Sequence, residues 1–135
     1  SFAAPKFVDM AKVKNAGYVI KNEREDILTM AISDDDSAII ISFSTANISS
    51  KEISDLLKSN ALRNSENFIA TLDNNRAYIN EFEAQGFYSY MIVPKKEKVK
   101  NQHTYATYVS SKKLSKNDLS KITDAILDEA ESYIK

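Results

Sequence analysis

Alternation of apolar and polar residues predicts two groups of β-strands. The first group has strands at residues 18–21, 27–33 and 38–44, with a turn of three aspartates at 34–36 before the last of them. The second group has strands at residues 68–72, 77–84, 87–93 and 103–110. Polar residues at 73–75, Gln85-Gly86 and a loop at 94–102 separate these four strands.

Helical periodicity and start signals predict three helices. The first covers residues 5–16, with Pro5 near its start and Gly17 as its stop. The second begins after Ser49, which precedes Glu52 by the spacing of a capping box. Ile48 and Ile53 stand where a hydrophobic staple requires them, and the apolar stripe continues to residue 61.

The third helix repeats this start signal, with Ser115 three residues before Asp118. Leu114 and Leu119 form the corresponding staple. The apolar stripe of this helix consists of Leu119, Ile122, Ile126, Ala130 and Tyr133.

The resulting element order is α-βββ-α-ββββ-α. It predicts one α+β domain over residues 1–135, with an antiparallel sheet of about six to seven strands and three helices packed on it. This order is similar to that of the PsbP/Mog1-like domains and, less closely, to that of the small dimeric chaperones of type III secretion. The resemblance implies a fold and no functional residue.

Composition excludes several kinds of chemistry. The chain of 135 residues has no cysteine, which excludes disulfides, thiolate nucleophiles and cysteine-ligated zinc. Its two glycines, Gly17 and Gly86, allow neither a phosphate-binding loop nor a dinucleotide fingerprint. No Gly-x-Ser-x-Gly elbow is present. We therefore expect no cofactor.

Candidate metal and catalytic residues lack the partners that such chemistry needs. Asp34, Asp35 and Asp36 do not have the spacing, glycine and final glutamate of an EF-hand, so a turn is expected there. His103 is the only histidine, and we expect it to occupy a surface or strand-end position. We predict no metal site.

Glu81 and Glu83 offer the one candidate for paired-carboxylate chemistry. Strand alternation places them on the same face, about 7 Å apart, which suits a hydrolase acting on a sugar or an ester. The alternative is that both face water while Tyr78 and Phe82 face the core.

The strongest signal of a partner is a basic, tyrosine-rich segment at residues 86–113. It contains six lysines and one acidic residue, whereas residues 1–60, 61–85 and 114–135 each have a net charge of −2. If residues 87–93 and 103–110 pair as a hairpin, a lysine-rich loop lies at its tip. The alternative is that Tyr88 and Tyr90 lie under a helix and that the lysines only keep a long hairpin loop soluble. The residues that we expect to contact a partner are Tyr88, Tyr90, Lys95, Lys96, Lys98, Lys100, Tyr105 and Tyr108.

These observations favour a non-enzymatic domain that binds a protein through a sheet edge and this loop. An accessory, an inhibitor or immunity-type protein, or a chaperone-like adaptor would use such a contact. Nucleic acid and anionic lipid are less favoured, because the rest of the chain is acidic and repels polyanions. A carboxylate hydrolase and a structural subunit that pairs through exposed strands, including a homodimer, remain as alternatives.

The start of the chain bears on its location. It begins at Ser1 without methionine, which indicates either a mature form whose signal peptide has been removed or a sequence trimmed at its start. Phe2-Ala3-Ala4-Pro5 is a start of small residues and proline that often follows signal cleavage, although a trimmed start would look the same. This favours a periplasmic or secreted protein.

Overall fold

The computed structural model describes residues 3–135 and confirms the predicted α+β fold and its element order. The helices are α1 (Met10–Asn15), α2 (Ser50–Arg63) and α3 (Lys116–Glu131). The strands are β1 (Val19–Arg24), β2 (Ile27–Ser33), β3 (Ser37–Thr45), β4 (Asn67–Thr71), β5 (Ala77–Ala84), β6 (Phe87–Pro94) and β7 (Gln102–Ser110). Ser1 and Phe2, on which the expectation of signal cleavage partly rests, lie outside the described residues. Among residues 3–135, no helix is both long and apolar enough to cross a bilayer.

All seven strands form one antiparallel sheet in the order β1-β2-β3-β7-β6-β5-β4. β3 and β7 pair along their whole length and so join the two predicted groups of strands. β1 and β4 are therefore the edges. The expectation that residues 86–113 offer a sheet edge is wrong, because β7 pairs with β3 as well as with β6.

The two faces of the sheet are covered unequally. On one side, which we call the α3 face, Val13 of α1 and Ile126 of α3 belong to the same buried cluster as Met30 and Ile41. On the other side, the α2 face, α2 packs on β5 and β6. β5 and β6 are thus covered on both faces.

Local sequence signals fix the starts of the two long helices. The Ser49 Oγ accepts the Glu52 N–H at 3.1 Å, and the Glu52 Oε1 accepts the Ser49 N–H at 3.3 Å. The Ser115 Oγ accepts the Asp118 N–H at 3.2 Å. Both predicted caps are confirmed.

The first helix is shorter than predicted. It covers Met10–Asn15 instead of residues 5–16, and Asp9 is its N-cap. Val8 forms a β-bridge with Ile134, so the segment before α1 is paired with the end of the chain. This long-range pairing replaces the first turns of the predicted helix.

Candidate protein-binding site

The basic segment does not form one continuous patch. It contains β6, β7 and the connection between them, residues 95–101, which we call the lysine loop. Because β6 and β7 are antiparallel, Lys112 and Lys113 lie at the far end of the hairpin from this loop. The eight residues of β6 correspond to about 25 Å. The local positive charge is therefore divided between the two ends of the sheet.

The four tyrosines of this segment are divided between the two faces of the sheet. Tyr88, Tyr90 and Tyr108 project from the α3 face, whereas Tyr105 projects from the α2 face. Tyr90 is fully buried in a cluster that includes Leu119 of α3, and Tyr88 and Tyr108 are half-buried. The structure corrects the expectation for Tyr90, which has no surface for a partner because both faces of β6 are covered.

Tyr90 belongs to a polar network beside the start of α3. Its hydroxyl donates to the Glu81 Oε2 at 2.5 Å and accepts the Leu114 N–H at 2.9 Å. The Lys113 Nζ lies 3.2 Å from the Glu81 Oε1. Burial, together with the hydrogen bond to Glu81, raises the pKa of Tyr90 well above its ordinary value. The network ties α3 to β5 and β6.

The two glutamates of β5 have different environments. Glu81 is only 2% exposed, so the expectation that it faces water is wrong. The reason is that α3 covers this side of β5. Glu83 is half-buried, and its Oε2 accepts a hydrogen bond from the Asn67 Nδ2 at 3.2 Å. Because both oxygens of Glu81 are already bound, this geometry gives a paired-carboxylate hydrolase no support.

The lysine loop is held at both of its ends. The Lys95 N–H donates to the Arg76 carbonyl at 2.9 Å, and the Ala46 N–H donates to the Asn101 carbonyl at 2.9 Å. The Glu97 Oε2 accepts the Asn101 N–H at 3.1 Å. These bonds give the loop a defined shape on which its lysines are displayed.

His103 lies at the strand end, as expected, but it is buried beneath the loop and only 4% exposed. Its Nε2 is 3.2 Å from the Ala46 carbonyl oxygen and 3.2 Å from the Glu97 Oε1. Two acceptors at one nitrogen place the ring proton on Nε2. His103 therefore connects the loop to the end of β3, which is a structural role.

The lysines of the loop differ in their contacts. The Lys98 Nζ is 3.2 Å from the Glu131 Oε2, and the Lys95 Nζ is 5.4 Å from the centre of the Tyr78 ring. Lys96 and Lys100 are exposed and make no ion pair within residues 3–135. The loop thus retains free positive charge.

A cavity of about 80 Å³ opens beside the loop. Since a water molecule takes up about 30 Å³ in the liquid, this space is comparable to a small aliphatic side chain. Its lining includes apolar Phe7, Val93, Val99, Leu127 and Ile134, and polar Ser50, Lys96, Lys98, His103 and Glu131. The cavity therefore combines apolar walls with a charged rim.

The aspartate cluster forms a turn, as predicted. The Asp34 Oδ1 accepts the backbone N–H groups of Asp36 and Ser37 at 2.8 and 2.9 Å, and these bonds lower the pKa of Asp34. Within the described part of the chain, no group of three or more acidic or histidine side chains is arranged to hold a metal ion.

Comparison of the chain with protein-family models, with curated proteins and with solved structures finds no match. The similarity in element order to the PsbP/Mog1-like domains is therefore unsupported and assigns no family.

Sequence reasoning missed the cavity and its apolar lining. Phe7, Leu127 and Ile134 come from the two ends of the chain, and nothing in their local patterns places them beside residue 99. The one available signal was Val99, a single apolar residue between lysines.

Proposed function

We propose that this chain is a non-enzymatic protein-binding domain whose lysine loop binds an acidic segment of a partner protein. The observation that carries the proposal is the position of Val99. It is 54% exposed, stands between Lys98 and Lys100, and lines the cavity. The loop thus offers apolar contact and positive charge at the same place.

The charge of the loop is directed outward. Its one acidic residue, Glu97, is turned inward to His103 and Asn101 and does not neutralise the surface. Lys98 remains accessible despite its pair with Glu131, because its side chain is 74% exposed. Complementary charge of this kind speeds association and selects acidic partners.

The surroundings favour a protein over nucleic acid or anionic lipid. Asp124, Asp128 and Glu131 of α3 surround Arg76, with carboxylate–guanidinium distances of 3.0, 2.7 and 3.5 Å. The side chains of Asp124 and Asp128 are more than half exposed. A polyanion or a charged bilayer extending beyond the loop would meet these carboxylates, whereas a short acidic segment would not.

The cavity suggests the composition of that segment. A space the size of one aliphatic side chain suits an anchor residue, and such anchors contribute much of the affinity at protein interfaces. We expect the partner to present an aliphatic side chain flanked by aspartate or glutamate. An accessory, inhibitor, immunity-type or chaperone-like role would each use this contact.

Charge reversal in the loop tests the proposal. The variant carries glutamate at positions Lys95, Lys96, Lys98 and Lys100. The matched control makes the same change at four exposed lysines elsewhere, Lys12, Lys112, Lys116 and Lys121. Both are compared with the wild type in affinity capture from an extract of the source cells, with quantitative mass spectrometry.

The amount of each protein that both the wild type and the control capture should be at least tenfold lower with the loop variant. The loss follows from replacing attraction with repulsion at every charge of the loop. Equal capture by the two variants would show that the lysine loop is not the binding site.

A further inference from the structure

Part of the α2 face has no cover within residues 3–135. α2 packs on β5 and β6, while α1 and α3 pack on the opposite face. Side chains that β2, β3 and β7 project toward the α2 side therefore form a surface that we call the open face. Its members are Ile27, Thr29, Ala31, Ser33, Ala38, Ile40, Ser42, Ser44, Tyr105, Thr107 and Val109. Ser33 is exposed, Ser42 is buried and the other nine are half-buried. His103, which β7 projects to the same side, is buried beneath the lysine loop and is not part of this surface.

The open face carries no charge. Five of its eleven side chains are apolar and the other six carry a hydroxyl, so it is a mixed apolar and hydroxyl-bearing surface. The neighbouring part that α2 covers is similarly uncharged, with Phe82, Met91 and Asn80. The composition thus continues from the covered half into the uncovered one.

Two hydroxyls on this face are paired with each other, since the Thr29 Oγ1 and the Ser42 Oγ are 3.2 Å apart. Ser44 and Ser42 also oppose the rise that burial causes in the pKa of Tyr105. An apolar surface can therefore cover the Thr29–Ser42 pair without leaving either hydroxyl unpaired.

The open face lies between α2 and β1. At one side is Leu56 of α2, which is 57% exposed and lies on the flank of the helix opposite Lys58, whose Nζ sits 4.0 Å above the Phe68 ring of β4. At the other side is β1, where Val19 is 58% exposed and pairs with Ala31, and where Asn22 and Arg24 pair with Thr29 and Ile27. From β7 to β1 there are three inter-strand spacings, about 14 Å in all, which is enough for one helix of about 10–12 Å diameter.

The two ends of the open face carry opposite charge. The three aspartates of residues 34–36 lie at one end, opposed by Lys112, and the lysine loop lies at the other. At the loop end, the Arg24 Nε and the Asp26 Oδ1 are 3.6 Å apart, and their charges cancel. Of residues 24–26, Glu25 is then the one acidic residue left to set against the positive charge of the lysine loop. A helix has a positive N-terminus and a negative C-terminus, so this arrangement complements a helix lying along the strands.

We propose that the open face docks one amphipathic helix of a partner protein, with its N-terminus toward residues 34–36 and its C-terminus toward the lysine loop. Strands of this length accommodate about 25 Å, or about 16 helical residues. Small side chains such as Ala31 and Thr107 allow close approach of the helix. The area, roughly 350 Å² by the same spacings, is well below the roughly 800 Å² per partner of a standard stable interface, which disfavours a second copy of the chain.

A helical peptide library tests this site directly. Peptides on a helical display scaffold, with one face randomised, are selected on the wild-type chain. Their affinities are then measured for Thr107→Lys, which places a charge in the centre of the open face, and for Ser120→Lys, which adds the same charge on the exposed side of α3. The loop-reversed variant is measured alongside, so that failure of the lysine-loop proposal is distinguished from failure of this one.

Selected helices should bind Thr107→Lys at least tenfold more weakly and Ser120→Lys with unchanged affinity. In the wild type, they should shift the methyl NMR signals of Ile40, Ala31 and Val109, a readout that does not depend on the folding of any variant. A spin label at the peptide N-terminus should broaden signals near residues 34–36. Selection of no helix, or of helices that leave these methyl signals unchanged, would overturn the proposal. Concentration-dependent dimerisation that Thr107→Lys abolishes would assign the face to a second copy instead.

Discussion

Glu129 accepts hydrogen bonds from two tyrosines that come from opposite ends of the chain. The Tyr18 hydroxyl is 2.6 Å and the Tyr133 hydroxyl 2.7 Å from its Oε2. The two rings meet edge to face, with centroids 6.2 Å apart. Burial, reinforced by Glu129, raises the pKa of Tyr133 to about 12 and also raises that of Tyr18.

These shifts predict loss of stability in alkaline solution. Between the ordinary value of 10.0 and about 12, Tyr133 is ionised in the unfolded chain but still protonated in the folded one. The unfolded state then binds fewer protons, so the free energy of unfolding falls as pH rises through this window. For Tyr133 alone, the loss is on the order of 2 kcal/mol.

Urea unfolding at a series of pH values measures this effect. The double variant Tyr18→Phe, Tyr133→Phe should be less stable at neutral pH but lose less stability between pH 10 and 12. Tyr78→Phe, which removes a hydroxyl with no carboxylate partner in residues 3–135, is the control and should follow the wild type. An unchanged alkaline slope in the double variant would contradict the assignment.

At the residue scale, the sequence singled out individual side chains but did not predict how buried each of them is. The spacing identified Tyr90, Glu81 and His103 as residues to consider but not that all three are buried. Their partners lie far along the chain, as with His103 and Ala46, which are 57 positions apart. Periodicity reports which face a residue lies on, but burial also depends on what covers that face.

The helices show how far local signals determine an element. α2 and α3 begin where the sequence predicted, because each cap is made by residues within one turn of each other. The predicted start of α1 is wrong, because the bridge between Val8 and Ile134 competes with the local signal. A short helix without its own capping box is only marginally stable, so its first residues form the long-range pairing instead.

Removing the caps should lower stability by about 1 kcal/mol each. In Ser49→Ala, the Glu52 N–H loses its acceptor, and Ser115→Ala does the same to the Asp118 N–H. Ser59→Ala, at an exposed interior position of α2, is the control and should be neutral or slightly stabilising. Chemical denaturation monitored by circular dichroism gives the comparison; equal stability of wild type and cap variants would show that the caps are dispensable.

At the scale of the molecule, both sheet edges have features that oppose strand pairing. β1 carries Lys21, Glu23 and Arg24 and a bulge near its start. β4 has five residues and a bulge between Phe68 and Ala70. Charges, bulges and short length each hinder addition of another strand.

We therefore expect the chain to sediment as a monomer in the absence of a partner. Sedimentation velocity across a wide range of concentrations should give a constant coefficient. A coefficient that rises with concentration would contradict this and favour the structural-subunit alternative. Ile69→Lys on β4 would then identify the edge involved, because Ile69 is 37% exposed there.

By itself, the sequence determined the elements, their order and the caps of the long helices, because these depend on residues within a few positions of one another. It also located the lysine loop, a local concentration of charge. Only the tertiary structure decided that β7 pairs with β3. This pairing places the strand that was predicted at an edge in the centre of the sheet. The lysines of the basic segment then lie at the two opposite ends of the sheet. Strand order, the cover over each face and the cavity at Val99 all join residues distant in the chain, and such contacts leave no pattern in the local sequence.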